Sequence, residues 1–229
     1  PVEVYDQSSD LMIYDTETGR MLTAERFFSD ARWETFPAWS PDGATLYFCS
    51  AEPRSMPLDR ESVRYDLLRA ELDFATGALG ERVDTLYDSR TAGGSVSFPR
   101  VSPDGRYLMY TRADYGTFPV WHAEADLAVM DLCDGSEVDA SALNSDEAES
   151  CHAWSSSGRW VVFASRREDG RYTRLYLASV SPDGEFGKPF LLPQRNPDQN
   201  AWRLKSYNVP EFVRGEVRLP RGELKALFK

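Results

Sequence analysis

Phe36-Pro37-Ala38-Trp39-Ser40-Pro41-Asp42-Gly43-Ala44-Thr45-Leu46-Tyr47-Phe48-Cys49-Ser50 is the stretch on which the fold turns. It opens on a short apolar run, passes through turn chemistry, and ends on a nearly continuous apolar run of the kind buried strands show. In Ser40-Pro41-Asp42-Gly43 the proline presets φ at the second turn position, the aspartate bonds its own downstream backbone, and the glycine takes a positive φ. The stretch reads as a β-hairpin.

The unit recurs. Phe98-Pro99-Arg100-Val101-Ser102-Pro103-Asp104-Gly105 leads into Arg106-Tyr107-Leu108-Met109-Tyr110-Thr111. Cys151-His152-Ala153-Trp154-Ser155-Ser156-Ser157-Gly158 leads into Arg159-Trp160-Val161-Val162-Phe163-Ala164-Ser165, with Gly158 retained where Pro-Asp is lost. A second hairpin follows each: residues 65–72 turn through Thr76-Gly77 to 82–86, residues 126–132 turn at Asp134-Gly135, and residues 175–180 turn at Pro182-Asp183-Gly184. The Ser-Pro-Asp-Gly at 181–184 joins outer strands and is not a fourth copy. Four strands per period make a propeller blade. The period is about 50–60 residues, longer than the roughly 40–50 usual for blades, and the excess falls in loops.

The expected fold is therefore an all-β chain, a β-propeller with four-stranded antiparallel blades, about three and a half of them. Residues 1–204 form a partial propeller, with a half blade at 8–28 and blades at about 33–87, 96–143 and 150–193. Residues 205–229 form a C-terminal tail, of which 221–229 suits a short helix. A propeller closes on itself, so a missing N-terminal half of the ring is an expected partner, and open blade edges make self-association another expectation. The start at Pro1 rather than Met adds the expectation of a removed leader or a longer upstream region.

The hairpin unit resembles the WD40-like PD40 repeat of TolB-type propellers. Val2-Glu3-Val4-Tyr5-Asp6, Trp121-His122-Ala123-Glu124-Ala125-Asp126-Leu127, Asn144-Ser145-Asp146-Glu147-Ala148-Glu149-Ser150, Ser165-Arg166-Arg167 and Ser206-Tyr207-Asn208-Val209-Pro210-Glu211-Phe212 resemble exported TolB-like proteins of Bacteroides-type bacteria. The resemblance covers nearly the whole chain. It implies export to the periplasm or cell envelope and, from TolB, protein partners. Similar full-length proteins carry upstream haem-attachment motifs of the form Cys-x-x-Cys-His; here Cys151-His152 lacks the earlier cysteine.

Composition narrows the function. The chain has 229 residues, 13% of them aromatic, and a formal net charge of −11. That charge disfavours nucleic acid and anionic membranes, which need a basic field. No apolar run reaches the roughly 18–20 residues of a membrane span. Cys49, Cys133 and Cys151 share no metal or redox spacing and suit reduced, mostly buried thiols, one disulfide being the alternative.

Strand alternation places segments 29–35, 88–97 and 144–151 on one face of the ring with segments 51–64, 112–125 and 166–173, and the Ser-Pro-Asp-Gly turns on the other. Ligand-binding candidates belong to the first face. Asp146, Glu147 and Glu149 with His152 suit a divalent cation at 144–152 or acid–base work, or simply a solvated acidic loop. Trp121, His122 and Glu124 suit stacking and hydrogen bonding to a sugar or peptide, or packing of a long loop. Arg166 and Arg167 suit a bidentate carboxylate, or ion pairs with the acids at 144–149. Ser40, Asp42, Gly43, Ser102, Asp104, Gly105 and Gly158 read as turn residues.

No nucleophile elbow, zincin motif or P-loop occurs, so no catalytic residue is assigned and no cofactor is expected beyond the cation candidate. The function expected is a non-catalytic binding or scaffold propeller of the cell envelope. The competing reading is the propeller portion of an exported enzyme, a peptidase or a polysaccharide-active one, or of a haem-linked electron-transfer protein.

Overall fold

The computed structural model describes residues 4–22, 27, 30–73 and 78–216. The Thr76-Gly77 turn and the helix expected at 221–229 lie outside the described residues.

Three four-stranded antiparallel sheets follow one another along the chain. The first contains β3 (Trp33–Trp39), β4 (Thr45–Ala51), β5 (Tyr65–Asp73) and β6 (Ala78–Tyr87). The second contains β7 (Ser95–Val101), β8 (Tyr107–Ala113), β9 (Asp126–Asp131) and β10 (Glu137–Val138). The third contains β11 (Glu149–Trp154), β12 (Trp160–Ser165), β13 (Arg174–Ser179) and β14 (Phe190–Leu191). A two-stranded hairpin, β1 (Ile13–Asp15) and β2 (Arg20–Leu22), precedes them. Strands run in sequence order within each sheet, and β7 lies against both β3 and β11. The sheets are thus blades of a β-propeller with their first strands innermost. The described residues hold three blades and an outer hairpin.

Period-two alternation stacks the blades. Tyr47 and Cys49 of β4 face the second blade in a cluster with Tyr65, Leu108 and Tyr110. Leu46 and Phe48 point the other way, onto Leu11 and Phe27. In β8, Leu108 and Tyr110 face the first blade, while Tyr107 and Met109 meet Val161 and Phe163 of the third. Both faces of a central blade are apolar, which explains the unbroken apolar runs in the sequence.

The repeated turn works as its chemistry demands. Ser40 Oγ donates to Asp42 Oδ1 at 2.5 Å and accepts from the Thr45 amide at 2.9 Å, while Asp42 also accepts from the Ala44 amide at 3.0 Å. Ser102 and Asp104 repeat the pattern at 2.5, 2.9 and 3.1 Å. In the third blade Ser157 replaces the aspartate, 3.1 Å from Ser155. Gly43, Gly105 and Gly158 have φ of +72°, +77° and +68°, the region a glycine tolerates without steric cost. The Ser181–Gly184 contact closes the connection between β13 and β14, around the bridge from Val180 to Phe186.

A second repeat lies in the backbone. Phe36, Phe98 and Cys151 hold left-handed φ of +51°, +53° and +52°, each at a register shift in a first strand. A bulge of this kind re-aims its side chain. Phe36 and Phe98 pack at 4.2 Å between ring centroids, and Cys151 lies in the same cluster. Val209 has the same geometry, φ +50°, with Pro210 following as Pro37 and Pro99 follow their phenylalanines. The Glu149 amide donates to the Ala125 carbonyl at 2.7 Å, and the Tyr207 amide donates to the Thr173 carbonyl at 3.2 Å. Residues 207–209 therefore stand to the third blade as 149–151 stand to the second.

The three cysteines are free thiols; Cys49 and Cys151 are buried and Cys133 is exposed. Among the described residues, no helix is long and apolar enough to cross a membrane.

Candidate functional site

The connections before each first strand and between each second and third strand share one face. The Gly116 amide donates to the Val63 carbonyl at 3.0 Å, tying the β8–β9 loop to the end of the β4–β5 loop. Ser95 Oγ donates to the Gly116 carbonyl at 2.6 Å and accepts from the Tyr65 amide. The candidate residues sit on this face, but they do not form one constellation.

Glu149 is fully buried at the start of β11 and lies 3.0 Å from Arg167 Nη2. Ser165 Oγ donates to it at 2.6 Å, Ser145 Oγ at 2.7 Å and the Ser145 amide at 2.9 Å. Arg167 Nε donates to Ser165 Oγ, its Nη2 reaches the Leu143 carbonyl, and its guanidinium lies 4.6 Å from the Tyr176 ring. These contacts hold the blade's inner strands to the loop before it and give the buried carboxylate the hydrogen bonds that a buried ion pair requires.

His152 is turned away from the acids. Its Nε2 sits 3.0 Å from the Met109 carbonyl of the neighbouring blade, its Nδ1 has no partner, and burial pushes its pKa down to about 3. It is neutral at physiological pH. Asp146 is exposed, and Glu147 lies against Gly170, whose φ is +66° and where an added Cβ would stand 2.8 Å from Glu147 Oε1. Among the described residues no three His, Cys, Asp or Glu side chains come together as a metal-ligand set.

Arg166 and Trp121 do come together. Trp121 ends a 3-10 turn, Pro119–Trp121, in the β8–β9 loop, and is 42% exposed. The Arg166 guanidinium lies beneath it, 3.5 Å from the ring centroid and only 4% exposed. Its Nη1 makes a long contact of 3.4 Å to the Gly170 carbonyl, while Nε and Nη2 have no hydrogen-bond partner. Burial lowers its pKa, opposed by the charges of Glu147 and Asp169. A buried cation with unmatched N–H groups under an exposed indole is the least satisfied polar feature of this face. Beside it, His122 Nδ1 lies 3.0 Å from Glu124 and its ring packs on Tyr115 at 4.6 Å.

The Glu149 arrangement has a counterpart that the sequence reading missed. In the first blade Glu34 is 4% exposed, Ser50 Oγ donates to it at 3.4 Å, and Arg32 Nε donates to Ser50 Oγ at 2.8 Å. Here, however, Arg32 turns to Asp66, 2.9 Å away, and Glu34 Oε2 has no partner; burial raises the pKa of Glu34. Extending the repeat two residues upstream would have exposed it: Glu34-Thr35-Phe36-Pro37-Ala38-Trp39-Ser40 aligns with Glu149-Ser150-Cys151-His152-Ala153-Trp154-Ser155. The second blade has Val96 at that position.

No protein-family model matches the sequence, and no curated protein matches it. Solved structures do. A puromycin-hydrolyzing peptidase from Mycobacterium tuberculosis superposes with a TM-score of 0.51 at 15% identity, over 72% of this chain and 24% of that one. Oligogalacturonate lyase in complex with manganese gives 0.51 at 15%, over 82% and 49%. The β-propeller domain of the Trilobed protease from Pyrococcus furiosus gives 0.42 at 14%, over 72% and 44%. At these identities the likeness is one of fold. The chain spans about a quarter to a half of the length of the structures it matches.

Proposed function

We propose that the chain is a non-catalytic binding or scaffold propeller of the bacterial cell envelope, TolB-like, acting through its loop face on a protein partner. The supporting observation is the division of labour on that face. Glu149, Arg167 and His152 are consumed by contacts between strands and blades, whereas Trp121 stays exposed over an Arg166 with unmatched donors. Tryptophan and arginine are the residues that anchor protein interfaces. A partner carboxylate or backbone carbonyl beside Trp121 would complete the hydrogen bonding of Arg166. The repeat resemblance supports the envelope location.

The competing reading makes the chain the propeller portion of an exported enzyme. The two are separated by assaying the intact protein on peptide and polysaccharide substrates, together with His122→Gln and Glu124→Gln. No turnover of either substrate class is expected. Loss of turnover in either variant, at an unchanged melting temperature, would replace binding with catalysis.

A further inference from the structure

A cavity of about 160 Å³ opens on the loop face of the first blade, away from Trp121. Four guanidinium groups, those of Arg32, Arg54, Arg64 and Arg90, border it against the two carboxylates of Glu52 and Asp66. In a chain whose net charge is −11, a local excess of positive charge in a concave site runs against the overall field.

The cavity has a fixed floor and a more exposed, loosely paired rim. Asp66 accepts from Arg32 at 2.9 Å, from the Ser89 amide at 2.9 Å and from Ser89 Oγ at 2.6 Å. Arg32 also donates to Ser50 Oγ and to the Ser50 carbonyl at 2.8 and 3.1 Å. The floor is thereby neutral and rigid. On the rim, Arg64 donates to the carbonyls of Glu61 and Val63 at 2.7 and 3.0 Å and, among the described residues, to no carboxylate. Arg90 is 82% exposed, with Asp88 at 3.7 Å, and Arg54 pairs with Glu52 at 3.0 Å on the surface, where such a pair contributes little.

We infer that this cavity binds the carboxylate end of a ligand, with Arg64 and Arg90 as its principal contacts. A carboxylate matches the planar fork of a guanidinium. A single negative charge suits a site in which two carboxylates already stand. Its volume is that of roughly five liquid waters, enough for an end group and not for a whole drug-sized ligand. A larger, more open and mostly polar cavity of about 660 Å³ shares Arg32, Asp66 and Arg90 with it and is also lined by Thr85, Asp88 and Thr91, so the body of the ligand extends into a polar groove there. The site is independent of the Trp121 surface and of the partner that surface takes.

The test is calorimetric titration of the intact protein at low ionic strength with glucuronate, acetate, inorganic phosphate and glucose. Saturable binding of the carboxylates is expected, weakening with added salt, with glucose silent. Arg64→Gln and Arg90→Gln are each expected to weaken it about tenfold. Arg159→Gln, on the opposite face, is expected to leave it unchanged. Absence of saturable carboxylate binding, or binding unaltered in both rim variants, overturns the inference; so does phosphate binding more tightly than either carboxylate.

Discussion

Glu34 and Glu149 begin the same way in their blades and end differently. Glu149 has Arg167 at 3.0 Å, so removing its charge strands a largely buried guanidinium. Glu149→Gln is expected to cost about 3 kcal/mol in denaturant unfolding at neutral pH. Glu34 lacks a cation, and its pKa is raised by burial above the ordinary 4.5. Its native state holds its proton more tightly than the unfolded chain does, so Glu34 subtracts stability as pH rises above that ordinary value. Glu34→Gln is therefore expected to be neutral or stabilising at pH 7, with the difference from wild type vanishing towards pH 4. Denaturation curves for both variants at pH 4 and 7 check this; a Glu34→Gln loss as large as that of Glu149→Gln would contradict it. The ion pairing of Arg167 with the upstream acids was readable from charge and loop spacing. The fate of Arg166 was not, because stacking under Trp121 depends on how the 3-10 turn of one blade overhangs the next strand end.

The hairpins were legible because their signal is local. Turn residues at fixed offsets between apolar runs specify a hairpin wherever the chain is. The left-handed bulges were not, since a non-glycine residue at positive φ has no composition of its own: phenylalanine, cysteine and valine occupy four equivalent positions. Val209 shows the consequence. Its segment has no Ser-Pro-Asp-Gly and reads as tail, yet it carries the bulge and the interblade hydrogen bond of a first strand. A β-branched residue in this region is strained, by about 1–2 kcal/mol, and Val209 is 48% exposed, so little packing offsets the strain. Val209→Gly is expected to raise stability by about 0.5–1 kcal/mol after glycine's entropy is counted. The buried Phe98→Gly, which loses ring contacts with Phe36 and Phe118, is expected to lower it. A drop in melting temperature for Val209→Gly would show that the backbone conformation of this segment differs from that of its three counterparts.

At the scale of the molecule, three blades and an outer hairpin present one face of loops and one face of repeated turns. The turn face repeats itself, Ser40 and Asp42 being echoed by Ser102 and Asp104, and a recurring device does not make a unique site. The loop face repeats only its buried glutamates, Glu34 and Glu149, and its exposed groups differ: the first blade carries the arginine cavity, and the second and third share the Trp121–Arg166 contact. Both faces of the second blade are covered by its neighbours, and Trp160 and Phe190 of the third remain partly exposed, 6.1 Å apart between ring centroids. We propose that further blades or a second copy of the chain cover such surfaces. We propose that the loop face around Trp121 engages a protein partner. Photo-crosslinking in cells, with a photoreactive phenylalanine at position 121 and, separately, at position 42 on the turn face, tests it most directly. A crosslinked envelope protein is expected from position 121 and none from position 42. Equal crosslinking from both positions, or none from 121, would contradict it.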